Sequence, residues 1–311
     1  MSQFSNAAFL RIGTRGSPLA LWQAREVRAR LAAAHGVEPE AIAIVPIRTT
    51  GDMIQDRPLA EAGGKGLFTK EIEQALIDGA IDIAVHSTKD MPTVLPAGLM
   101  LAACLAREDV RDAFISRKAT TLAGLPPGAV VGTASLRRQA MVKRLRPDIA
   151  VVSFRGNVET RIKKLDDGVV DATLLAFAGL KRLGRADAAT AILEIEEFLP
   201  AVGQGAIGIE ARADDARTLE LLSRIDHAET RTAIGAERVF LAVLDGSCRT
   251  PIAGHARIGA GEVAFRGMIL RPDGSEALEA ARSGAIADAE KLGADAGREL
   301  KGRAPPNFFA G

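Results

Sequence analysis

Three segments of the chain share one pattern, in which glycine, hydroxyl residues and arginine stand between an apolar stretch and a helical pattern. They are Gly-Thr-Arg-Gly-Ser-Pro from Gly13, Gly-Thr-Ala-Ser-Leu-Arg-Arg from Gly132, and Ser-Phe-Arg-Gly-Asn-Val-Glu-Thr-Arg from Ser153. The N–H groups at a helix start and an arginine guanidinium both bind carboxylates or phosphates. The repetition therefore predicts an anion-binding site. Its candidate arginines are Arg15, Arg137, Arg138, Arg155 and Arg161. Any one of them alone could equally be a solvated surface charge.

A carboxylate follows the apolar run Ile81–Val85, in the segment His86-Ser-Thr-Lys-Asp. This order places Lys89 and Asp90 at the end of a predicted strand. A carboxylate among cations stays ionised at neutral pH, and it can stabilise a developing positive charge or accept a proton from an amine. The alternative is that Asp90 only pairs with Lys89 or caps a turn. We interpret His86 as a structural residue at the strand end.

The chain has two cysteines, Cys104 and Cys248. Cys248 lies in a glycine-containing loop beside Arg249, where a positive neighbour favours the reactive thiolate, whereas Cys104 lies in an apolar run typical of a core. The four histidines lack metal-ligand spacing, so we expect no metal site. The run from Gly203 matches the dinucleotide-binding letters but leads into a predicted strand instead of a helix, so we expect no such site.

Composition excludes several classes of function. The 40 Lys and Arg residues balance 39 Asp and Glu residues, for a formal net charge of +1, which argues against a general nucleic-acid binder. No apolar run approaches the length of a membrane span. The N-terminal residues lack the pattern of a secretory signal, and there is no disulfide framework. We therefore expect a protein of the reducing cytoplasm.

The first two-thirds of the chain alternates β-rich runs with helical patterns, which is typical of α/β domains. In such sheets the carboxyl ends of the strands form ligand sites, which would place the arginines and Asp90 along one rim. From about Asp226 the pattern changes. Strands at Ala253–Ile258 and Val263–Leu270 and a final helix at Ala287–Leu300 predict a small α+β domain.

Together these segments resemble one family, the porphobilinogen deaminases, also called hydroxymethylbilane synthases. The likeness runs from about Arg11 to Ala281, in order and at the family's spacing. The matching segments are RIGTRGSPLALWQA from Arg11, GGKGLFTKE from Gly63, DIAVHSTKD from Asp82, REDVRDAF from Arg107, VGTASLRRQ from Val131, RGNVETR from Arg155, AGLKRLG from Ala178, LPAVGQGAIGIE from Leu199 and GSCRTP from Gly246.

The resemblance implies a transferase that joins four porphobilinogen molecules head to tail, with loss of four ammonia molecules, to give the linear tetrapyrrole hydroxymethylbilane for porphyrin and haem biosynthesis. It implies a dipyrromethane cofactor held by a thioether to Cys248, and Asp90 as the catalytic residue. The residues implied to bind the cofactor are Cys248, Lys89, Asp90, Ser135, Arg137 and Arg138. Those implied to bind substrate are Arg15, Ser17, Arg155, Arg161 and Arg182.

The resemblance also implies an α/β fold of two lobes with mixed sheets, like those of periplasmic binding proteins, and a small α+β C-terminal domain. We expect the first lobe over 1–106 together with 201–224, the second over 107–200, and the cysteine-bearing domain over 225–311. The expected partner is porphobilinogen, with no nucleic acid and no membrane, and the expected state is a monomer.

Two positions depart from the family pattern. Ser247 stands where the family usually has glycine, and Thr88 where many members have an apolar residue. Both leave the thiol of Cys248 and the pair Lys89–Asp90 in place, so only fine geometry is affected. The alternative function is a non-catalytic two-lobed protein that binds a small anion, which would explain the arginines but neither Cys248 nor Asp90.

Overall fold

The computed structural model describes residues 8–53, 68–246 and 250–309. The strands in these ranges are β1 (Leu10–Arg15), β2 (Ile42–Ile47), β3 (Ile83–Ser87), β4 (Leu99–Cys104), β5 (Asp112–Ser116), β6 (Val130–Gly132), β7 (Ala150–Val152), β8 (Ala172–Ala176), β9 (Ala191–Leu193), β10 (Ile207–Arg212), β11 (Ile252–Gly259), β12 (Glu262–Leu270) and β13 (Ala277–Ala285). The helices are α1 (Pro18–His35), α2 (Thr50–Met53), α3 (Lys70–Ile77), α4 (Leu136–Leu145), α5 (Val158–Asp166), α6 (Phe177–Arg182), α7 (Ala216–Ser223), α8 (Ala228–Val243) and α9 (Ala289–Arg303).

Two five-stranded mixed sheets form the first two-thirds of the fold. Their orders are β2-β1-β3-β10-β4 and β7-β6-β8-β5-β9, and in each the two strands beside the second one run parallel to it. Strand β10 runs antiparallel between β3 and β4, so the chain returns to the first sheet after building the second. This confirms the predicted α/β class with two lobes. The exact domain boundaries stay a prediction.

Helix α1 covers the first sheet with a regular apolar stripe. Ala24, Val27 and Leu31 recur at helical spacing and are fully buried against Leu10 and Ile12 of β1. Burying these side chains contributes about 1.5–3 kcal/mol for each large aliphatic residue. The packing holds the start of α1 immediately after the end of β1.

The C-terminal domain has three antiparallel strands, β11-β12-β13, with α8 and α9 packed on one face. Phe240 of α8 and Phe265 of β12 pack with tilted rings, whose centroids are 5.0 Å apart. The sequence predicts β11 and β12 but gives no bounds for β13. Part of the opposite face, around Met268, packs into the core of the second lobe.

A buried carboxylate joins the three domains. Glu237 of α8 is fully buried and accepts hydrogen bonds from both terminal nitrogens of Arg107, at 2.6 and 3.0 Å. The backbone N–H groups of Gly203 and Ala256 donate to the same carboxylate at 2.7 and 2.8 Å. Because Arg107 and Gly203 lie on the two segments that cross between the lobes, Glu237 anchors the C-terminal domain at this crossing.

In the described part of the chain, every helix is too short or too polar to cross a lipid bilayer.

Candidate active site

The end of β1 and the start of α1 form the first wall of the site. Ser17 caps α1, since its Oγ accepts a hydrogen bond from the Ala20 N–H at 3.3 Å. Arg15 ends β1, and its guanidinium carbon lies 4.2 Å from the centroid of the Phe68 ring. Arg15, Ser17 and Asp90 line one pocket. The sequence predicts that Arg15 and Asp90 lie along one rim, and in the structure both residues line this pocket.

A single 3-10 turn over Thr88–Asp90 follows β3 and carries Lys89 and Asp90. The Asp90 side chain is exposed and makes no hydrogen bond or ion pair with any residue in the described ranges. Loop 201–206 supports the turn, because the Thr88 N–H donates to the Ala206 carbonyl at 3.1 Å. Gly203 allows this approach: its φ is +76°, and a Cβ there would lie 2.9 Å from the Lys89 nitrogen.

Lys89 connects the two lobes electrostatically. Burial lowers the pKa of Lys89 to about 8, and Arg138 acts in the same direction against the opposing charges of Asp90 and Asp112. Its Nζ donates to Gln204 Oε1 at 3.4 Å, and Gln204 Nε2 donates to Asp112 Oδ1 at 3.1 Å. Lys89 of the first lobe thus faces the buried cations of the second.

Arg137 and Arg138 converge on Asp112, the first residue of β5. Arg137 Nη2 lies 2.7 Å from Asp112 Oδ2, and Arg138 binds Asp112 Oδ1 through Nε and Nη2 at 3.0 and 2.6 Å. All three side chains are buried. Burial alone would raise the pKa of Asp112, but the two guanidinium groups lower it to about 2. Arg137 and Arg138 therefore form a buried ion cluster with a carboxylate of the protein itself.

Ser135 caps α4 directly ahead of these arginines. Its Oγ accepts a hydrogen bond from the Arg138 N–H at 3.4 Å. The hydroxyl is thus fixed at the helix start, where backbone N–H groups and the helix dipole favour an anion.

Helix α5 carries Arg161, and Arg155 lies just before the start of this helix. Asn157 caps it by accepting from the Thr160 N–H at 2.8 Å, and Arg161 Nε donates to the Gly156 carbonyl at 2.8 Å. Burial lowers the pKa of Arg161 to about 10; Arg138 and Arg155 add to this effect and Asp90 opposes it. Arg161 is therefore close enough to Asp90 and Arg155 to interact electrostatically with both.

Arg182 lies elsewhere in the cleft. Its Nη2 donates to the Gly205 carbonyl at 2.7 Å, and its guanidinium carbon lies 5.9 Å from the Trp22 ring centroid. Burial lowers the pKa of Arg182 to about 10, against the opposing charges of Glu108 and Glu26. Part of its donor capacity is therefore used by the loop that supports the Asp90 turn.

The structure thus places Arg15, Ser17 and Asp90 on one pocket and brings Lys89, Arg138, Arg155 and Arg161 into electrostatic interaction with Asp90 or with one another. Their individual roles stay predictions. Cys248 lies outside the described residues. The nearest described residue before it, Gly246, lies beside the segment that follows Asp90, because Thr93 Oγ1 donates to the Gly246 carbonyl at 2.9 Å.

The sequence analysis missed Asp112 and Gln204. Asp112 stands directly before the apolar run Ala-Phe-Ile, and a carboxylate at the edge of a fully buried strand needs counter-charges. That position was the available signal. Gln204 gave none, because its two partners are 115 and 92 residues away in the chain. Within the described ranges, no group of three or more His, Cys, Asp and Glu residues could hold a metal ion.

Comparisons with known proteins relate the chain to one family. The family model "porphobilinogen deaminase, dipyromethane cofactor binding domain" matches residues 10–220, and the model of the porphobilinogen deaminase C-terminal domain matches 231–302. The porphobilinogen deaminases of Nitrobacter hamburgensis and Nitrobacter winogradskyi are each 64% identical over 298 residues, which cover 96% of this chain and 94% of each relative.

Solved structures show a weaker likeness. A periplasmic substrate-binding protein of an ABC transporter from Coxiella burnetii has 15% identity and a TM-score of 0.43, covering 70% of this chain and 92% of that chain. A likeness of that size says nothing about ligand or activity. The two family models and the Nitrobacter relatives span nearly the whole sequence, so the chain belongs to the porphobilinogen deaminase family.

Proposed function

We propose that the cleft between the two lobes binds porphobilinogen and joins four molecules head to tail into hydroxymethylbilane, with loss of four ammonia molecules. Membership of the family makes the chain a transferase of tetrapyrrole biosynthesis. Porphobilinogen carries an acetate and a propionate, so each added ring brings two negative charges. A growing oligomer therefore needs a cleft lined with cations.

One observation carries the proposal: cations from both lobes surround an unpaired carboxylate. Lys89 comes from the first lobe and Arg138 and Arg161 from the second, and Asp90 acts electrostatically on both Lys89 and Arg161. Among the described residues Asp90 has no hydrogen bond or ion pair of its own. Its negative charge is thus available to a bound ligand, while the cations supply the counter-charge for ligand carboxylates.

For substrate binding we propose Arg15 and Ser17 on one lobe and Arg155, Arg161 and Arg182 on the other. Arg15 and Ser17 line the pocket that contains Asp90, and Arg161 interacts electrostatically with Asp90 and Arg155. These relations support a shared role in binding carboxylates on successive rings. A guanidinium offers two parallel donors to a carboxylate, which fixes the orientation of a ring as well as neutralising it. Arg182 contributes through the donors that it does not give to Gly205.

The residues present fit the dipyrromethane cofactor that the matching family model names. The donors are guanidinium, ammonium and hydroxyl groups, which suit its carboxylates, and Arg137 Nε is a buried donor without a partner in the described ranges. We propose that Lys89, Ser135, Arg137 and Arg138 hold it, that Asp90 binds its pyrrole N–H groups, and that Cys248 is its attachment point. When bound, the cofactor supplies the pyrrole carbon to which the first unit is joined.

Asp90 is the proposed catalytic residue. Loss of ammonia leaves a positive charge on the substrate methylene and its pyrrole ring, and a fixed carboxylate lowers the free energy of that cation. The buried ion cluster of Asp112 keeps Arg137 and Arg138 in place at the base of the site.

Lys89 has a pKa of about 8, so it loses its positive charge as pH rises from 7 to 9. Although we assign Lys89 to the cofactor, we expect substrate affinity to fall several-fold over this range, because the site then attracts the substrate carboxylates less strongly. The measurement is the KM for porphobilinogen at constant ionic strength. The variant Lys89→Gln serves as the control, since it should bind weakly at every pH in this range. An equally steep fall in Lys89→Gln would assign the effect to another group.

Intact mass tests the function itself. We expect the purified protein to be heavier than its sequence by one dipyrromethane and to give a pyrrole colour with Ehrlich's aldehyde. Cys248→Ala should retain no pyrrole. Cys104→Ala is the matched control: Cys104 is buried, and burial raises the pKa of its thiol to about 12, so it stays protonated and unreactive and its removal should leave the added mass unchanged.

An unmodified mass together with tight binding of small carboxylates would instead support the two-lobed binding protein. Bound pyrrole in Cys248→Ala would exclude Cys248 as the attachment point. The division into domains at 1–106 with 201–224, 107–200 and 225–311, the monomeric state and the cytoplasmic location are likewise proposals. Limited proteolysis, sedimentation and cell fractionation test them in turn.

A further inference from the structure

Three buried polar side chains behind the Asp90 pocket are not used by the mechanism described above. They are Glu73 of α3, His86 of β3 and Glu210 of β10, which are 6%, 5% and 0% exposed. The Nε2 atom of His86 lies 3.3 Å from Oε2 of Glu210. A charged or polar group in such surroundings destabilises a fold unless it has a partner or a function.

Strand register explains how they meet. In the antiparallel pair β3–β10, His86 lies opposite Gly208 and Ala84 lies opposite Glu210, so His86 and Glu210 project to the same face of the sheet. Helix α3 covers that face, because its Ile72 and Leu76 pack against Ala84. Glu73 is on the same helix and is buried with them.

Hydrogen bonding leaves this cluster unsatisfied. His86 Nε2, both carboxylate oxygens of Glu210 and Oε1 of Glu73 are buried and have no hydrogen-bond partner among the described residues. The Glu210 carboxylate and the His86 imidazole are therefore within ion-pair distance, but their geometry is not that of a hydrogen bond. At this separation a small movement of either side chain would form a hydrogen bond, the contact along which a proton transfers.

Charged and titratable side chains surround the cluster. Arg238 of α8 interacts with Glu210, and Cys104 of β4 is neutral because burial raises the pKa of its thiol to about 12. Burial and the charge of Glu210 raise the pKa of Glu73, against the charge of His86. Glu73 therefore holds a proton more readily than an exposed glutamate does.

The cluster reaches the site through His86. His86 is among the residues that line the same pocket as Arg15, Ser17, Ser87 and Asp90. The structural role expected for His86 stays a prediction, and its position beside the pocket is the observation that supports a second role. A carboxylate on Nε2 also favours the tautomer with the proton on Nε2, which leaves the lone pair on Nδ1.

We propose that His86 is a second catalytic residue, the acceptor of the proton that each condensation removes from a pyrrole carbon, with Glu210 and Glu73 as its positioning residues. The inference rests on the proposed function. The C–N bond of the substrate's ammonium group breaks and its electron pair leaves with ammonia. A C–C bond then forms, the C–H bond at the attacked carbon breaks, and His86 takes the proton. His86 finally passes that proton to the departing ammonia, which leaves as ammonium.

Kinetics and nuclear magnetic resonance test this role together. We expect His86→Gln to lower kcat by about 100-fold or more and to change KM by less than about 3-fold, because it removes a proton acceptor and no carboxylate ligand. Glu210→Gln should lower kcat in the same way, by a smaller factor. The control is His255→Gln, a half-buried histidine of β11 in the C-terminal domain, which should keep wild-type kcat.

The second readout is the imidazole ¹⁵N spectrum of the unsubstituted protein, with the His86 signals assigned by their loss in His86→Gln. We expect the Nε2–H tautomer, and a mixture of tautomers in Glu210→Gln. A wild-type Nδ1–H tautomer, or a His86→Gln enzyme as fast as the control, would overturn the proposal. If the variants do not fold, the tautomer of His86 in the wild-type protein still tests the proposal. Its signals are then distinguished from those of the other three histidines by isotope filtering. A wild-type protein that condenses no porphobilinogen would instead refute the proposed function.

Discussion

Asp90→Asn is expected to lower turnover of porphobilinogen by at least about 100-fold, because it removes the negative charge that stabilises the cation left after ammonia departs. The fold should be unaffected, since Asp90 is exposed and makes no hydrogen bond or ion pair with the described residues. Steady-state kcat, thermal unfolding and intact mass provide the three measurements. Mass should show that the cofactor is still attached.

A matched control for this variant is Asp214→Asn. Asp214 is also an exposed carboxylate, but it follows β10 at the end of the sheet opposite to Asp90, because Ile207 pairs with Ser87 and Arg212 with Leu99. It should keep full turnover. Near-normal turnover in Asp90→Asn would remove Asp90 from the mechanism, whatever the other residues of the cleft do.

Asp112→Asn is expected to lower the free energy of unfolding by about 3–5 kcal/mol, which is typical when one partner of a buried ion pair is removed. The asparagine would leave Arg137 and Arg138 as two buried cations without a counter-ion, beside Lys89. Urea denaturation at neutral pH measures the change. Asp167→Asn is the control, because the Asp167–Lys163 pair is exposed on α5 and its loss should leave the midpoint unchanged.

Because of the Asp112 carboxylate, we also expect the free energy of unfolding to fall at acid pH. The pKa of Asp112 is about 2 in the folded protein and near 4 in an unfolded chain, so its contribution is complete above about pH 4 and is lost as pH falls towards 2. Asp112→Asn should lack this part of the acid dependence. Equal urea midpoints for Asp112→Asn and Asp167→Asn would show that the cluster does not stabilise the fold.

Local features were readable from the sequence because they depend on neighbours within a few residues. Helix α1 begins at Pro18 after the Ser17 cap, as the run Gly-Ser-Pro predicts, and the apolar strand before His86 ends where polar residues begin. The bounds of strand β13 are not predicted because Ala-Leu-Glu-Ala-Ala-Arg-Ser-Gly-Ala has little β propensity; the strand's nine-residue ladder with β12 stabilises it instead.

The sequence by itself determined the family, the α/β class, the residues that end each strand, and hence the presence of Lys89, Asp90 and several arginines at one rim. Only the tertiary structure decided which charges meet. Asp112 binds Arg137 and Arg138, Arg182 reaches Gly205, and His86 approaches Glu210, because distant strands and helices pack face to face. Residue type shows that a side chain is charged, whereas the partner and the burial that set its pKa come from long-range packing.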